Sequence, residues 1–391
     1  MNFDFTTDQY QLRDSVRRFL ADRWGPKRLR VAASKFDPDL WKGLCDLGLQ
    51  TLLVPEAEDG AGLSLVDVSL ILEEFGRALV PGPMVDTILA SDIVARFGTP
   101  AQKASLLPAI ASGACRVAFA HAEAGVGHIA QDVALEAINV AGEWRLQGRK
   151  ILVPAAQAAT LLIVSAKTGS GPAGLFICDA TSEHIAIEPH RAIDPDSLLC
   201  QVNFNGAIAQ LIGASSGTGP LGRMLETSAL AAATQMVGIA AAALDIAVAY
   251  AKQRTQFDRP IGSFQAIKHK CADMLVAVES ARSSVYYASW AVAEDDPVLP
   301  LAVSMAKAAC GDACRLVCND ALQIHGGVGF TWEYDIHLYL KRGKLFEYAF
   351  GDASLHRERV ASIVLDGHPG ASAVVLAETV PASSRSPHAV G

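Results

Sequence analysis

Two segments decide how this sequence is interpreted: YAKQRTQFDRPIGSFQAIKHKCADM, which spans Tyr250–Met274, and QIHGGVGFTWEYDIHLYLKR, which spans Gln323–Arg342. In the first, Arg254 lies where a helical pattern ends, and a guanidinium is the side chain best shaped to bind a pyrophosphate. In the second, Gly326 and Gly327 allow a ligand to approach the backbone closely. Both segments are therefore candidates for phosphate binding, although a single arginine is more often a surface residue and a glycine cluster more often a turn.

The sequence around these segments has the apolar period of helices. After Gly222 this period recurs in four long stretches, near residues 221–253, 264–293, 299–324 and 334–365. Four such stretches with short breaks predict a C-terminal four-helix bundle over residues 220–366. Residues 367–391 are rich in Pro, Ser, Ala and Gly and show no period, so we expect a flexible tail there.

Short β-type runs precede the bundle. They are VALEA, WRLQGRKILV, TLLIVSA, GLFIC, HIAIE and LCQVNF, separated by Gly, Asp and Pro. They predict a small antiparallel β domain over residues 115–219. Residues 1–114 read instead as a helical domain, in which Thr6 and Gln9 form a capping box and Ser64 can cap a later helix. The predicted fold is mostly α with a central β domain.

Composition narrows the class of protein. The chain has 391 residues, of which 51% are hydrophobic and 19% charged, which is typical of a soluble globular protein with a large core. A net charge of −8 without long basic runs argues against a nucleic-acid partner. The first residues show no signal peptide, so we expect a cytoplasmic protein.

A long apolar run and the cysteines are both interpreted as parts of the protein core. The apolar run Ala229–Ala249 carries Thr234, Gln235 and Asp245, which favours a buried bundle helix over a membrane span. The eight cysteines are scattered along the chain, and those on one helical face lack metal-ligand partners at suitable spacing. We expect reduced thiols and no metal site.

The two quoted segments and the order of domains resemble the acyl-CoA dehydrogenase family over roughly residues 1–365. The resemblance implies FAD as cofactor, an acyl-CoA thioester as substrate and an electron-transferring flavoprotein as electron acceptor. In this family each FAD crosses a subunit interface: one chain cradles the flavin ring, and its neighbour binds the pyrophosphate and adenosine. By resemblance, this chain's contribution to a neighbour's FAD consists of Arg254, Gln256, Phe257, Gln323, Gly326 and Gly327.

The flavin-ring half of the site departs from the family pattern. The family has Thr-Glu-Pro followed by Gly-Ser-Asp where this chain has AHAEAGVGHI; Glu123 and Gly127 are kept, and the replacements are Ala122, Ala124, His128 and Ile129. In the next motif, GRKILVPA, Leu152 stands in place of a Trp that packs on the flavin and Pro154 in place of a Thr that bonds it. The resemblance therefore predicts a defective flavin-ring pocket.

The catalytic base is also missing from its usual position. The reaction removes a proton α to the thioester carbonyl and needs a carboxylate, yet the family's Glu is replaced by Phe350. Some members carry the base on the first bundle helix, where this chain has Ser228; Glu226 is near but would point to the opposite face. Asp352 and Glu347 are the candidates for a relocated base, and either is equally a possible surface carboxylate.

Three hypotheses follow. The chain is the partner subunit of a heteromeric acyl-CoA dehydrogenase, in which a sister chain supplies the base and the flavin pocket; this resembles bacterial enzymes for bulky acyl-CoA substrates such as steroid fragments. Alternatively, it is a self-sufficient enzyme, such as a homotetramer, that uses Asp352 or Glu347. In the third, it is a non-catalytic binding or assembly protein on the same fold. The first is favoured because it explains both the kept and the lost residues.

Overall fold

The protein is described from a computed structural model, which covers residues 5–25, 28–29, 35–125, 132–169, 171–213 and 218–366. The predicted flexible tail, 367–391, lies outside the described residues, as do Gly127, His128 and Ile129.

Helices form the N-terminal part of the chain. They are α1 Thr7–Arg23, α2 Pro38–Asp46, α3 Leu65–Ala78, α4 Met84–Phe97 and α5 Pro100–Ala111. The predicted capping box of Thr6 and Gln9 is confirmed, and Ser64 caps α3 in a second capping box with Asp67. These side chains satisfy backbone N–H groups that the first helical turn leaves unpaired, which fixes where each helix begins.

The middle of the chain forms a seven-stranded sheet. Its strands are β1 Val117–Ala120, β2 Glu136–Val140, β3 Glu143–Pro154, β4 Leu161–Lys167, β5 Ala173–Asp179, β6 Ile185–Pro189 and β7 Leu199–Leu211. The order is β1-β4-β2-β3-β7-β5, with β6 paired to β7. Most pairings are antiparallel as predicted, but β4 pairs in parallel with β1 and with the start of β2. Strand β1 was not among the predicted runs.

The C-terminal part is a helical bundle. Its helices are α6 Thr218–Gln253, α7 Gln265–Ala293, α8 Leu299–His325, α9 Ile336–Tyr348 and α10 Ala353–Leu365. The prediction of one continuous helix over 334–365 is wrong, because the chain breaks between α9 and α10. At this break Phe350 has φ 57° and Gly351 has φ 97°, and neither value is compatible with a right-handed helix.

Helix α6 is the core of the molecule. It is long and apolar enough to cross a membrane, but 83% of its most apolar window is buried inside the protein, as expected for a bundle helix. Helix α3 packs on it at very short range: a Cβ at Gly238 would lie 1.9 Å from the carbonyl oxygen of Glu73, and one at Gly76 would lie 2.1 Å from that of Gln235. The small residues of α6 thus permit close helix packing.

Polar contacts fix the three parts of the chain to one another. Arg342 of α9 forms a buried ion pair with Asp194, which precedes β7, and donates to the carbonyl oxygen of Val80 at 3.4 Å. All eight cysteines are free thiols, as expected from their scattered positions. The mostly helical fold with a central β domain is confirmed.

Candidate functional site

Arg254 lies at the end of α6, at the base of a small hairpin. Strands β8, Thr255–Gln256, and β9, Arg259–Pro260, form this hairpin. The backbone of Arg254 is fixed on both sides: its N–H donates to Tyr250 at 2.8 Å, and its carbonyl accepts from Ile261 at 2.8 Å. Its side chain is exposed. A cation is therefore presented to solvent from a rigid support.

The hairpin turn projects an aromatic ring away from the protein. Phe257 and Asp258 occupy the turn with φ values of 52° and 61°, the left-handed pair that a two-residue hairpin turn requires. The side chain of Phe257 is 86% exposed, although its ring lies 6.1 Å from that of Phe264. Beside it, Gln256 is exposed as well. The hairpin therefore presents an aromatic ring and an amide side chain to solvent.

The glycine segment begins where α8 ends. Gly326 has φ 64° and ψ −146°, a conformation that only glycine adopts readily. A Cβ at Gly326 or Gly327 would meet no atom of the described residues within 4 Å, whereas one at Gly329 would lie 2.9 Å from the Leu322 side chain. The first two glycines therefore leave open space above the backbone, and the third is required for packing. Gln323 is exposed on the last turn of α8.

The structure brings the two segments to the same end of the bundle. Tyr250, one turn before Arg254, stacks on His325, the residue before Gly326, with ring centroids 4.3 Å apart. The six predicted residues thus occupy two adjoining helix ends and the loops that follow them. Such a surface offers a guanidinium, an amide and open backbone, which suit an anionic diphosphate ligand.

In the β domain, the retained carboxylate of the flavin-ring motif is engaged internally. Glu123 accepts a hydrogen bond from Lys150 Nζ at 2.5 Å and further bonds from the backbone N–H groups of Ala134 and Leu135. Lys150 is fully buried and also donates to Ser165 Oγ at 2.9 Å. Burial lowers the pKa of Lys150 to about 8, although Glu123 opposes the shift. Glu123 therefore links Lys150 of β3 to the backbone of Ala134 and Leu135. Sequence reasoning missed Lys150, a lysine within an otherwise strand-like run.

The substituted positions of this half offer no hydroxyl to a flavin. Ala122 and Ala124 have methyl side chains, and Ala122 uses its carbonyl to accept the N–H of Ile151 at 2.9 Å. Leu152 has φ 54° beside an irregularity in the pairing of β3 with β7, and its side chain is 39% exposed. Pro154 has no backbone N–H. The residues at these positions do not fit the polar edge of a flavin ring.

Two buried side chains fix the backbone around Phe350, the residue at the position predicted for the family's base. Lys307 of α8 is fully buried and donates to the carbonyl oxygens of Glu347 at 3.0 Å and Gly351 at 2.7 Å. His356 donates to the carbonyl oxygen of Phe350 at 3.0 Å. Burial lowers the pKa of Lys307 to about 8 and that of His356 to about 4. The loop is thus rigidly held, and its side chain at position 350 is an apolar ring.

The two candidate bases have structural partners. Asp352 is the N-cap of α10 and accepts the N–H of Leu355 at 2.9 Å. Glu347 lies at 2.6 Å from Lys344 and 3.4 Å from Arg315.

Ser228, at the alternative position predicted for a base on α6, is 3% exposed. The nearby Glu226 forms an ion pair with Arg359 of α10, and burial raises its pKa.

Comparisons with known proteins cover nearly the whole chain. The family model "Acyl-CoA dehydrogenase, N-terminal domain" matches residues 6–114, and "Acyl-CoA dehydrogenase, C-terminal domain" matches residues 216–365. The probable acyl-CoA dehydrogenase YngJ of Bacillus subtilis is 31% identical over 382 residues, which are 93% of this chain and 100% of the relative.

Solved structures have the same fold. The ChsE4-ChsE5 complex from Mycobacterium tuberculosis is similar at a TM-score of 0.86 and 26% identity, covering 95% of this chain and 100% of the other. A steroid ACAD, Tcur3481-Tcur3483, is similar at a TM-score of 0.85 and 31% identity, covering 92% and 98%.

Proposed function

The chain belongs to the acyl-CoA dehydrogenase family of FAD-dependent oxidoreductases, and we propose that it acts as the partner subunit of a heteromeric member. In this role it binds the pyrophosphate and adenosine of a FAD whose flavin ring lies in a sister chain. One observation supports the proposal: the residues predicted to face a neighbour are exposed and open, whereas the positions predicted to serve this chain's own flavin ring and base carry apolar side chains.

The outward-facing half fits a diphosphate. Arg254 is a permanently charged fork at the end of α6, and charge-assisted hydrogen bonds to phosphate are among the strongest in proteins. Gly326 and Gly327 leave the backbone accessible from outside the chain. Phe257 and Gln256 extend this surface on the exposed hairpin, away from the chain's own core. These residues would hold the cofactor of an adjoining subunit.

The inward-facing half is unsuited to catalysis. FAD, when bound, supplies a hydride acceptor, but desaturation also needs a carboxylate that removes the α proton of the thioester. Phe350 cannot accept a proton, and its loop is held by Lys307. Asp352 and Glu347 are engaged as a helix cap and in ion pairs. We therefore assign the catalytic base to the sister chain.

Relatives support the assembly and the substrate class. ChsE4-ChsE5 is a complex, and Tcur3481-Tcur3483 is a steroid ACAD. By analogy, this chain pairs with a different acyl-CoA dehydrogenase subunit and serves a bulky acyl-CoA such as a steroid fragment. An electron-transferring flavoprotein is the proposed electron acceptor.

Separate and joint expression tests the proposal. The chain is purified alone, and its visible spectrum is compared with that of the chain coexpressed with a candidate sister subunit. We expect no stoichiometric flavin with the chain alone and a bound flavin in the coexpressed assembly. Stoichiometric FAD on the chain alone would refute the partner-subunit role and favour the self-sufficient enzyme.

A further inference from the structure

Three aromatic rings join the two segments of the proposed pyrophosphate site. Tyr250 stacks on His325 at 4.3 Å with planes 22° apart. Tyr334 contacts both by its edge, with centroids 5.7 Å from each. Each ring thus touches the other two, and contacts of this geometry add stability beyond simple burial. We call these residues the aromatic triad.

His325 is the fixed centre of this triad. It is 4% exposed, and its Nδ1 donates to the carbonyl oxygen of Ala321 at 2.7 Å, which sets the ring orientation. Burial lowers the pKa of His325, which favours the neutral form of the ring. Behind it, the loop folds back so closely that a Cβ at Gly329 would lie 3.0 Å from His325 Cβ. The imidazole ring is therefore held in a fixed position between the helix end and the glycine loop.

Two of the three rings are linked through the backbone to one part of the phosphate site each. The carbonyl oxygen of Tyr250 accepts the N–H of Arg254 at 2.8 Å, so a shift of the tyrosine moves the arginine. His325 directly precedes Gly326, whose left-handed backbone begins the open loop. The arginine and the glycines come from different helices, and the triad is a side-chain contact between the supports of both.

We propose that the aromatic triad positions the FAD-binding residues, fixing Arg254 relative to Gly326 and Gly327 so that both engage one diphosphate. The inference rests on the proposed function. Tyr250 and His325 act here as positioning residues, since their rings hold the supports of the phosphate ligands. Preorganisation of this kind strengthens binding because less freedom is lost when the ligand arrives.

FAD affinity of the coexpressed assembly tests this role. His325→Ala removes a ring contact, and we expect the FAD dissociation constant to rise about tenfold, the scale of one aromatic pair. His325→Phe keeps a stacking ring and should stay within about threefold. Tyr250→Phe, which also keeps its ring, is the matched control. The apoprotein's melting temperature is measured in parallel for each variant.

A double-mutant cycle separates positioning from general stability. If the triad acts through the arginine, His325→Ala should weaken FAD binding much less when Arg254→Ala is already present. An equal loss in both backgrounds would overturn the positioning role. Should His325→Ala fail to assemble, Tyr334→Leu provides a milder disruption with the same expectation.

The outcomes also distinguish the two proposals. If Arg254→Ala weakens FAD binding but His325→Ala does not, the triad has no positioning role and the proposed function stands. If Arg254→Ala leaves FAD affinity unchanged, the proposed FAD half-site fails, and the triad inference fails with it.

Discussion

Replacement of Arg254 by alanine should weaken FAD binding without unfolding the protein. The side chain is exposed, so its removal should change the free energy of unfolding by less than about 0.5 kcal/mol. A hydrogen bond to a charged group contributes about 2 kcal/mol, and one such contact to the pyrophosphate corresponds to a roughly 30-fold change in FAD affinity. Arg254→Lys keeps the charge but loses the planar fork, so it should lie between wild type and alanine.

The assay is titration of the flavin-free assembly with FAD, followed by absorbance or flavin fluorescence. Lys252→Ala is the matched control, because Lys252 is an exposed cation two positions earlier on the same helix end. Unfolding in urea checks that each variant keeps its stability. Equal FAD affinities for Arg254→Ala and Lys252→Ala would show that Arg254 has no specific role. In that case either general positive charge or no group at this helix end binds the cofactor.

Three further predictions concern catalysis, packing and pH. Asp352→Asn and Glu347→Gln should leave the rate of desaturation by the complete assembly within about twofold of wild type, which is a change of less than about 0.4 kcal/mol in the activation free energy. A loss of tenfold or more would identify a base. Gly238→Ala should destabilise the protein by about 1–3 kcal/mol, because its Cβ would lie 1.9 Å from a backbone oxygen of α3. The control is Gly222→Ala in the same helix, whose Cβ has room among the described residues; in urea unfolding it should be neutral or stabilising. The pKa of Lys307 is about 8 in the folded protein and 10.5 ordinarily, so the unfolded chain binds more protons between these values and stability rises with pH there. Relative to Lys307→Met, the wild-type free energy of unfolding should rise by about 2 kcal/mol from pH 8 to pH 10. A difference between the two proteins that stays constant with pH would contradict the lowered pKa of Lys307.

Local signals in the sequence were sufficient for several features. The capping box of Thr6 with Gln9 and the helix cap at Ser64 involve neighbouring residues, so both were predicted without tertiary information. The residues around Arg254 and Gly326 form contiguous motifs, which is why both the family and the candidate FAD contacts were predicted from sequence. Those contacts remain predictions until FAD binding is measured.

Features that depend on distant residues were not predicted. The helical period continues on both sides of Phe350, and its left-handed backbone is held by Lys307 of α8 and by His356 of α10, the helix that follows the break. Likewise, Lys150 reads as one polar residue in a strand until the fold places Glu123 beside it. At Phe350 tertiary hydrogen bonds outweigh the local helical preference, and at Lys150 the fold adds a partner that the strand pattern does not show.

The flavin content of the assembly tests the central claim most directly. If this chain binds only the pyrophosphate and adenosine of a neighbour's cofactor, each pair of this chain and its sister chain should hold one FAD, located in the sister's flavin pocket. Native mass spectrometry of the coexpressed assembly, with flavin absorbance per protein as a second measure, gives this ratio. One FAD for each pair is the predicted result; one FAD for every chain would show that this chain also cradles a flavin ring, and would contradict the account.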